Sequence, residues 1–570
     1  MQLCFQKAYL TLKRHLHRSA CCCQCMTSGT TPGRSDAPYF ITTPIFYVNA
    51  APHIGHLYSA LVADASSRWQ RLKGRQTLFT VGTDEHGLKI QQAAESHGKS
   101  PQQYSDEVSA KFQELFDKSG IAYDDFIRTT EPRHYRAVEK FWETLSKRGY
   151  IYRGQYEGWY CVSDEAFLTE EEVQDAVTSD GNNVKVSVAS GQPVTWMTEE
   201  NYMFRLSAFR QQLLSWLDSG AVRPVQFEAL VRDWVDDLRD LSVSRQRERL
   251  SWGIPVPGDN AQTVYVWLDA LVNYLTVAGY PDKFQPSSWP PTCQVIGKDI
   301  LRFHAVYWPA FLFAADLPPP PSLLCHSHWL VEGHKMSKSR GNVVDPFDRL
   351  NKYSSDGLRY FLLKEGAYSS DGNYSDARAV ERINGDLVNT MGNLLSRTTA
   401  PSVNKQQEFP PLDSGKDLQR FLSEDDVRMY TSLMELPGQV GESYESLSFP
   451  RAIETVMTHI RWANALVQTH QPWTLVKSCN PASQQHLKVV LHVAMETLRV
   501  CSILLQPVTP QVAARVLTRL GVPLDCSQVS HVHSDVCETP RSLGDKVTLM
   551  SRIQNKNGDT LFKKSAAFKV

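Results

Sequence analysis

Two short clusters in this chain carry the residue types that a reaction at phosphorus needs. His53-Ile54-Gly55-His56 sets two imidazoles three residues apart, and Lys335-Met336-Ser337-Lys338-Ser339 sets two ammonium groups three apart, continuing into RGNVVDP at 340–346. One cluster at the mouth of an early strand and one on a Ser- and Gly-containing loop late in the chain can together enclose a triphosphate that is being cleaved. Each alone is a weak signal, since a His-Gly tetrapeptide also starts solvated helices and a Lys-Ser pentapeptide is commonly a surface loop. The pair, in this order, points to nucleotidyl transfer.

The elements around the first cluster are fit to aim it. Residues 39–48, YFITTPIFYV, are β-branched and aromatic and predict a buried strand, while apolar residues at helical spacing predict a helix over 57–74. His53 and His56 are therefore expected at a helix N-terminus. Such an end offers unpaired N–H groups and a partial positive charge, both favourable to phosphate.

These two clusters are the signatures of class I aminoacyl-tRNA synthetases, and the chain resembles that family. The segments VYVWLDA at 264–270, IGKDILRFHAVYW at 296–308 and TDEHG at 83–87 resemble the methionyl members, and the similarity runs through nearly the whole chain after its leader. The resemblance implies a methionine site at Ile45, Tyr47, Asp84, Trp267, Ala270, Tyr274, Ile300, His304 and Trp308. It also implies an ATP site at His53, Gly55, His56, Lys335, Ser337, Lys338 and Arg245, with His53, His56, Lys335 and Lys338 catalytic. The residue types agree with these roles: aromatic walls suit a polarizable thioether, and a carboxylate suits an α-ammonium. One departure stands at Leu271, where the family often has proline after the Ala, and it bears on the outer wall of the pocket.

The implied fold is α/β, a doubly wound parallel sheet of Rossmann type with an inserted connective subdomain, followed by an α-helical bundle. A chain of 570 residues exceeds what one hydrophobic core usually supports. Its texture changes suggest halves of a nucleotide-binding domain at 36–150 and 207–344, an insertion at 151–206, a connecting module at 345–378, a helical domain at 379–540 and a basic tail at 541–570. The Pro318-Pro319-Pro320-Pro321 run fits a surface connection, because successive prolines cannot donate to a ladder. Apolar residues recur at three and four along 379–396 and 451–467, as bundle helices require. In the resembled family such a bundle reads the anticodon, and the matching residues are Asn393, Arg397 and Trp473. Their types suit hydrogen bonding to base edges and stacking.

Related enzymes often hold zinc in the insertion with cysteine pairs. Here Cys161 stands alone, with no cysteine between it and Cys293, whereas a tetrahedral zinc site wants four N or S ligands. No structural zinc or other resident metal is expected, and the only metal implied is the Mg2+ that accompanies ATP.

Residues 1–35 are a different material. Lys7, Lys13, Arg14, Arg18 and Arg34 precede the first acidic residue, Asp36, and alternate with Leu3, Phe5, Leu10, Leu12 and Leu16. This is the composition of a mitochondrial presequence, so the mitochondrial matrix is the expected location. Five of the 12 cysteines fall inside it, and the seven left scattered suggest free thiols. The most apolar late segment, 487–505, is broken by Lys488, His492, Glu496 and Arg499 and reads as a core helix, not a membrane span. A formal net charge of -1 leaves tRNA contact to local basic residues such as Arg382, Arg397, Arg451 and Arg461.

The sequence thus predicts a monomer that uses ATP and L-methionine to charge tRNA(Met) through an adenylate. Two alternatives remain open at this point: a class I synthetase for another apolar amino acid such as leucine or cysteine, and an RNA-binding relative without catalysis. Amino-acid-dependent pyrophosphate exchange separates all three.

Overall fold

The computed structural model describes residues 37–161, 166–168, 170–177, 183–188, 191–336, 340–412, 415–523, 528–532 and 540–554. The leader 1–35, Ser337 and Lys338, and residues 555–570 lie outside them.

A seven-stranded parallel sheet forms the scaffold. Val222–Arg223, Leu323–His326, Cys293–Gly297, Tyr39–Thr42 and Thr77–Asp84 lie side by side in that order, and Phe46–Tyr47 and Asp125–Arg128 also pair with Thr77–Asp84. Tyr39–Thr42 and Cys293–Gly297 are buried throughout, as strands covered by helices on both faces must be. The first strand is shorter than its sequence suggests. It breaks at Thr43-Pro44-Ile45 and resumes as Phe46–Tyr47, because Pro44 has no N–H to give to a ladder and restricts the residue before it. The break sits beside the point where chain order reverses across the sheet, and in open α/β sheets such crevices at the carboxyl ends of strands hold ligands.

Gly82 permits the close pairing of Thr77–Asp84 with its edge neighbour. A Cβ there would lie 2.1 Å from the Ile127 carbonyl oxygen. The helix Ile54–Leu72 follows the interrupted strand and buries Leu57, Leu61, Ala65 and Trp69 against the sheet core.

The insertion is built of strands. Ile151–Cys161 and Val194–Phe204 form a long antiparallel ribbon, and Val173–Val177 pairs with Asn183–Ser187 at its outer end. Glu172 pairs with Arg302, tying the insertion to the sheet's second half.

Beyond the sheet, Pro346–Glu365 leads into helices Asp376–Arg382, Asn393–Thr399, Phe449–His470, Pro481–Leu505 and Pro510–Arg519. Residues 383–392 bridge the first two of these as a π-helical stretch, so the apolar repeat seen in the sequence continues unbroken through Thr399. Helix Pro481–Leu505 is buried along most of its length, as expected of a core helix, and among the described residues no helix is long and apolar enough to cross a membrane.

Sheet and bundle share one core, with Tyr39 and Val81 in the same cluster as Ile453 and Leu498. A buried ion pair fixes them together. Arg359 donates to Asp64 at 2.5 Å and to the carbonyls of Pro507 at 2.9 Å and Val508 at 3.0 Å, while Arg68 and the Ala122 N–H also serve Asp64. Burial alone would raise the Asp64 carboxyl, but Arg359 and Arg68 outweigh it and hold it below its ordinary range. Breaking such a buried pair from one side costs about 3–5 kcal/mol. Residues 541–554, expected as the start of a basic tail, lie along the bundle instead: Arg541–Ser542 pairs with Glu408–Phe409, and the Asn384 amide bonds both the N–H and the carbonyl of Ile553. Arg515 donates to the Leu549 carbonyl, so backbone capping holds this segment in place of charge.

Candidate active site

His53 is the N-cap of helix Ile54–Leu72, and the two histidines close a capping box. Nδ1 of His53 accepts from the Gly55 N–H at 3.1 Å, and Nδ1 of His56 accepts from the His53 N–H at 3.2 Å. With Nδ1 used as acceptor, each neutral ring carries its proton on Nε2. The rings stack with centroids 3.6 Å apart. A Cβ on residue 55 would stand 2.9 Å from Cε1 of His53, so glycine is what lets the cap close.

Burial lowers His53 to about 4, and it lowers His56 further with help from its neighbour. Both rings are neutral near pH 7. The first motif therefore presents two neutral N–H donors rather than two cations.

The positive charge comes from the second motif. Lys335 lies at the exposed end of the hairpin formed by Trp329–Val331 and His334–Lys335. Its field and that of His328 act on His53 in the same direction as burial, and Asp299 opposes them. Burial would raise the Asp299 carboxyl, but His328 and then Lys335 hold it well below the usual carboxylate range. His53, Asp299, His328 and Lys335 thus share one electrostatic neighbourhood, which joins Lys335 of the second motif to the first. The sequence reading assigned no role to Asp299 or His328.

The residues expected to hold methionine fall into several local pairings. Tyr47 pairs with Asp84 across adjacent parallel strands, and Ile45 precedes Tyr47 by two residues; both are half-buried, while Phe46 between them joins the core. In the second half of the sheet domain, the Tyr274 hydroxyl donates to Nε2 of His304 at 2.8 Å, and Nδ1–H of His304 donates to the Ile300 carbonyl at 3.0 Å. Burial lowers His304 to about 4, so this imidazole is neutral and fixes the direction of the phenol. Trp267 stacks on Phe303 with centroids 3.5 Å apart, one residue from His304, on a π-helical turn covering Phe303–Tyr307. Such turns recur at functional sites. Phe303 lies inside the 296–308 segment that resembles the methionyl members, but nothing in that segment marks it as a site residue.

Ala270 is buried on the same helix as Trp267 and Tyr274. Trp308 is fully buried, its ring centroid 5.8 Å from that of Tyr274 and near those of Phe141 and Trp289. Leu271, the departure from the family, is buried in the second core cluster and packs the helix against the protein interior. Arg245 is buried with its guanidinium 4.4 Å above the Tyr265 ring, two residues before Trp267, and donates to the Ser244 carbonyl at 2.7 Å.

At the other end of the molecule, Asn393 and Arg397 are one turn apart on one helix. Arg397 donates to Gln468 at 3.4 Å, and Trp473 follows five residues later, half-buried against Val403, Val476, Leu487 and Leu491. Arg382 and Arg461, two of the basic candidates, are engaged by Glu365 and Glu454.

Cys161 is buried with Val173 and Val194, flanked by Trp159 and Leu168. Residues 151–206 contain no histidine and no second cysteine, so this donor set does not fit zinc. Apolar packing occupies the place of ligands.

Comparison with known proteins agrees with this geometry. The family described as tRNA synthetases class I (M) matches residues 39–399. The human protein named methionine–tRNA ligase, mitochondrial, is 50% identical over 501 residues, covering 85% of this chain and 84% of the relative. The Bos taurus protein of the same name is 49% identical over 519 residues, covering 89% and 87%. A solved structure of Mycobacterium tuberculosis methionyl-tRNA synthetase in complex with methionyl-adenylate superposes with a TM-score of 0.85 at 37% identity, over 90% of this chain and all of that one. With the family match spanning more than half of its length and half-identical relatives covering most of it, the chain belongs to the class I methionyl-tRNA synthetase family.

Proposed function

We infer that the chain activates L-methionine with ATP and transfers it from the adenylate to the 3′ end of tRNA(Met) for translation in the mitochondrial matrix. The observation that carries the reading is the His53–His56 cap, within the field of Lys335 and packed on Phe46, the neighbour of Tyr47 in the strand that pairs with Asp84.

ATP enters as its magnesium complex, a substrate. The methionine carboxylate, already ionised at neutral pH, attacks the α-phosphorus in line, and pyrophosphate leaves with charge developing on its bridging oxygen. No covalent nucleophile and no general base are required, so catalysis is alignment plus stabilisation of the departing charge. Nε2–H of His53 and of His56, with the helix N-terminus, hold the phosphates; Lys335 and Lys338 meet the leaving group. Asp84 receives the α-ammonium, and Tyr47, Trp267, Ile300 and Tyr274 surround the thioether. In the second step a terminal ribose hydroxyl of the tRNA attacks the adenylate carbonyl, with Asn393, Arg397 and Trp473 reading the anticodon. One chain carries both ends of this reaction, which supports a monomer.

The basic, leucine-bearing composition of residues 1–35 supports mitochondrial import, as do relatives named mitochondrial. The test of function is transfer of labelled methionine to tRNA(Met). ATP-dependent, ribonuclease-sensitive label supports the reading, and adenylate formation without transfer contradicts it.

The insertion is proposed to be free of zinc. Purified protein should contain well under one zinc per chain and keep its melting temperature in chelator, because a lone buried thiol cannot anchor the ion. One tightly bound zinc per chain, with unfolding on its removal, would refute this.

A further inference from the structure

Three segments far apart in the sequence meet at one buried carboxylate that the mechanism above does not use. Asp269 is fully buried. Its Oδ2 accepts from Nδ1–H of His86 at 2.7 Å, and its Oδ1 accepts from Nε2–H of His134 at 2.7 Å. Both imidazoles are buried as well. Their remaining nitrogens are also engaged: Nε2 of His86 lies 3.2 Å from the Tyr135 hydroxyl, and Nδ1 of His134 lies 2.9 Å from Oγ1 of Thr276. Every polar position of the cluster is satisfied, so its geometry is fixed.

The cluster's place in the chain gives it meaning. His86 stands two residues after Asp84, and Asp269 stands two residues after Trp267 and directly before Ala270. The carboxylate therefore ties the loop that follows the ammonium-binding residue, at the end of its strand, to the helix that carries the side-chain wall. The rest of that loop is fastened separately: Arg128 donates to both oxygens of Glu85, and the Gly87 N–H donates to the Trp252 carbonyl. The His86–Asp269 bond joins that loop directly to the helix, and so bears on the span between Asp84 and Trp267. An amino acid is held at its ammonium and at its side chain, so that span decides which side-chain length fits.

We propose that Asp269, with His86 and His134, is a positioning cluster that sets the distance between the ammonium site and the thioether wall, and so determines selectivity for methionine by length. The proposal rests on the pocket reading given above. The residues touch no substrate themselves and act through Asp84, Trp267 and Ala270.

The test is pyrophosphate exchange with methionine and with its S-ethyl homologue, ethionine, on the full chain. Asp269→Asn leaves one imidazole N–H facing an amide NH2 and should raise the methionine KM by about tenfold or more. The ATP KM and kcat should stay within about threefold, and the preference for methionine over ethionine should fall at least about threefold. His86→Leu should behave likewise. His86→Asn, whose amide N–H stands where Nδ1–H stands, should recover most of the affinity and the selectivity. If Asp269→Asn does not fold, the His86 pair decides alone.

The proposal is overturned if His86→Asn and His86→Leu are equally impaired with unchanged selectivity, for then the cluster is only core. It is also overturned if Asp269→Asn keeps the wild-type methionine KM and preference. Asp84→Ala is the control for the pocket reading: an unchanged methionine KM there removes that reading and the proposal with it. A large rise in KM for Asp84→Ala beside a silent Asp269→Asn removes the proposal alone.

Discussion

Lys338→Ala is expected to lower the rate of methionyl-adenylate formation by roughly 100-fold or more while methionine affinity stays nearly constant. The His53 and His56 rings are neutral, with His53 at about 4, so they cannot supply the charge that the leaving pyrophosphate demands. That demand falls on the lysines of the second motif. Charge on the bridging oxygen exists only as the bond breaks, so an ammonium that meets it strengthens the transition state and not the ground state. The methionine walls, Tyr47, Asp84 and Tyr274, are on strands and a helix that do not include the lysines. Single-turnover activation, with methionine binding followed separately, checks both halves. An unchanged activation rate contradicts the role of Lys338, and a methionine affinity that falls in step with the rate contradicts the separation of the two sites.

The phosphate motifs were legible in the sequence because their chemistry is local. A cap, a glycine and two imidazoles must fall within four residues to close the box that His53 and His56 form, and the hydrophobic period of the following helix marks where it begins. The protonation of those rings was not legible, since it depends on what buries them. The candidate methionine residues rest on resemblance, and the pairing of Tyr47 with Asp84 or Tyr274 with His304 depends on sheet register and helix packing. The Asp269 cluster was invisible for the same reason: its bonds join residues 183 and 135 positions apart, and nothing in the sequence near Asp269 announces two histidines. The strand expected over 39–48 was right in place and wrong in continuity, because Pro44 was read with the β-branched run that surrounds it. The insertion's lone Cys161 was readable as evidence against zinc, yet the ribbon that buries it depends on pairing between 151–161 and 194–204.

Trp473→Ala should separate the two ends of the enzyme. Methionine-dependent pyrophosphate exchange should stay within a few-fold of wild type, whereas aminoacylation should drop steeply, since stacking one base is worth roughly 1–3 kcal/mol and its loss misplaces neighbouring contacts. Trp473 is half-buried against Val403, Val476, Leu487 and Leu491, at the end of the bundle where Arg397 meets Gln468. Changing the anticodon should damage the wild-type enzyme far more than the variant. If exchange and charging fall together, or the variant still discriminates anticodons as wild type does, Trp473 is a packing residue and the anticodon site lies elsewhere. The shared core makes a melting curve the necessary companion, because lost packing there can reach the sheet.

The central claim, that this active site selects methionine for adenylation, is tested most directly by ATP–pyrophosphate exchange measured with each of the twenty amino acids in turn. Exchange is expected with methionine and, at most, at a small fraction of that rate with any other amino acid, all without tRNA. Exchange driven as well by leucine or cysteine, or no exchange with any amino acid, would contradict it.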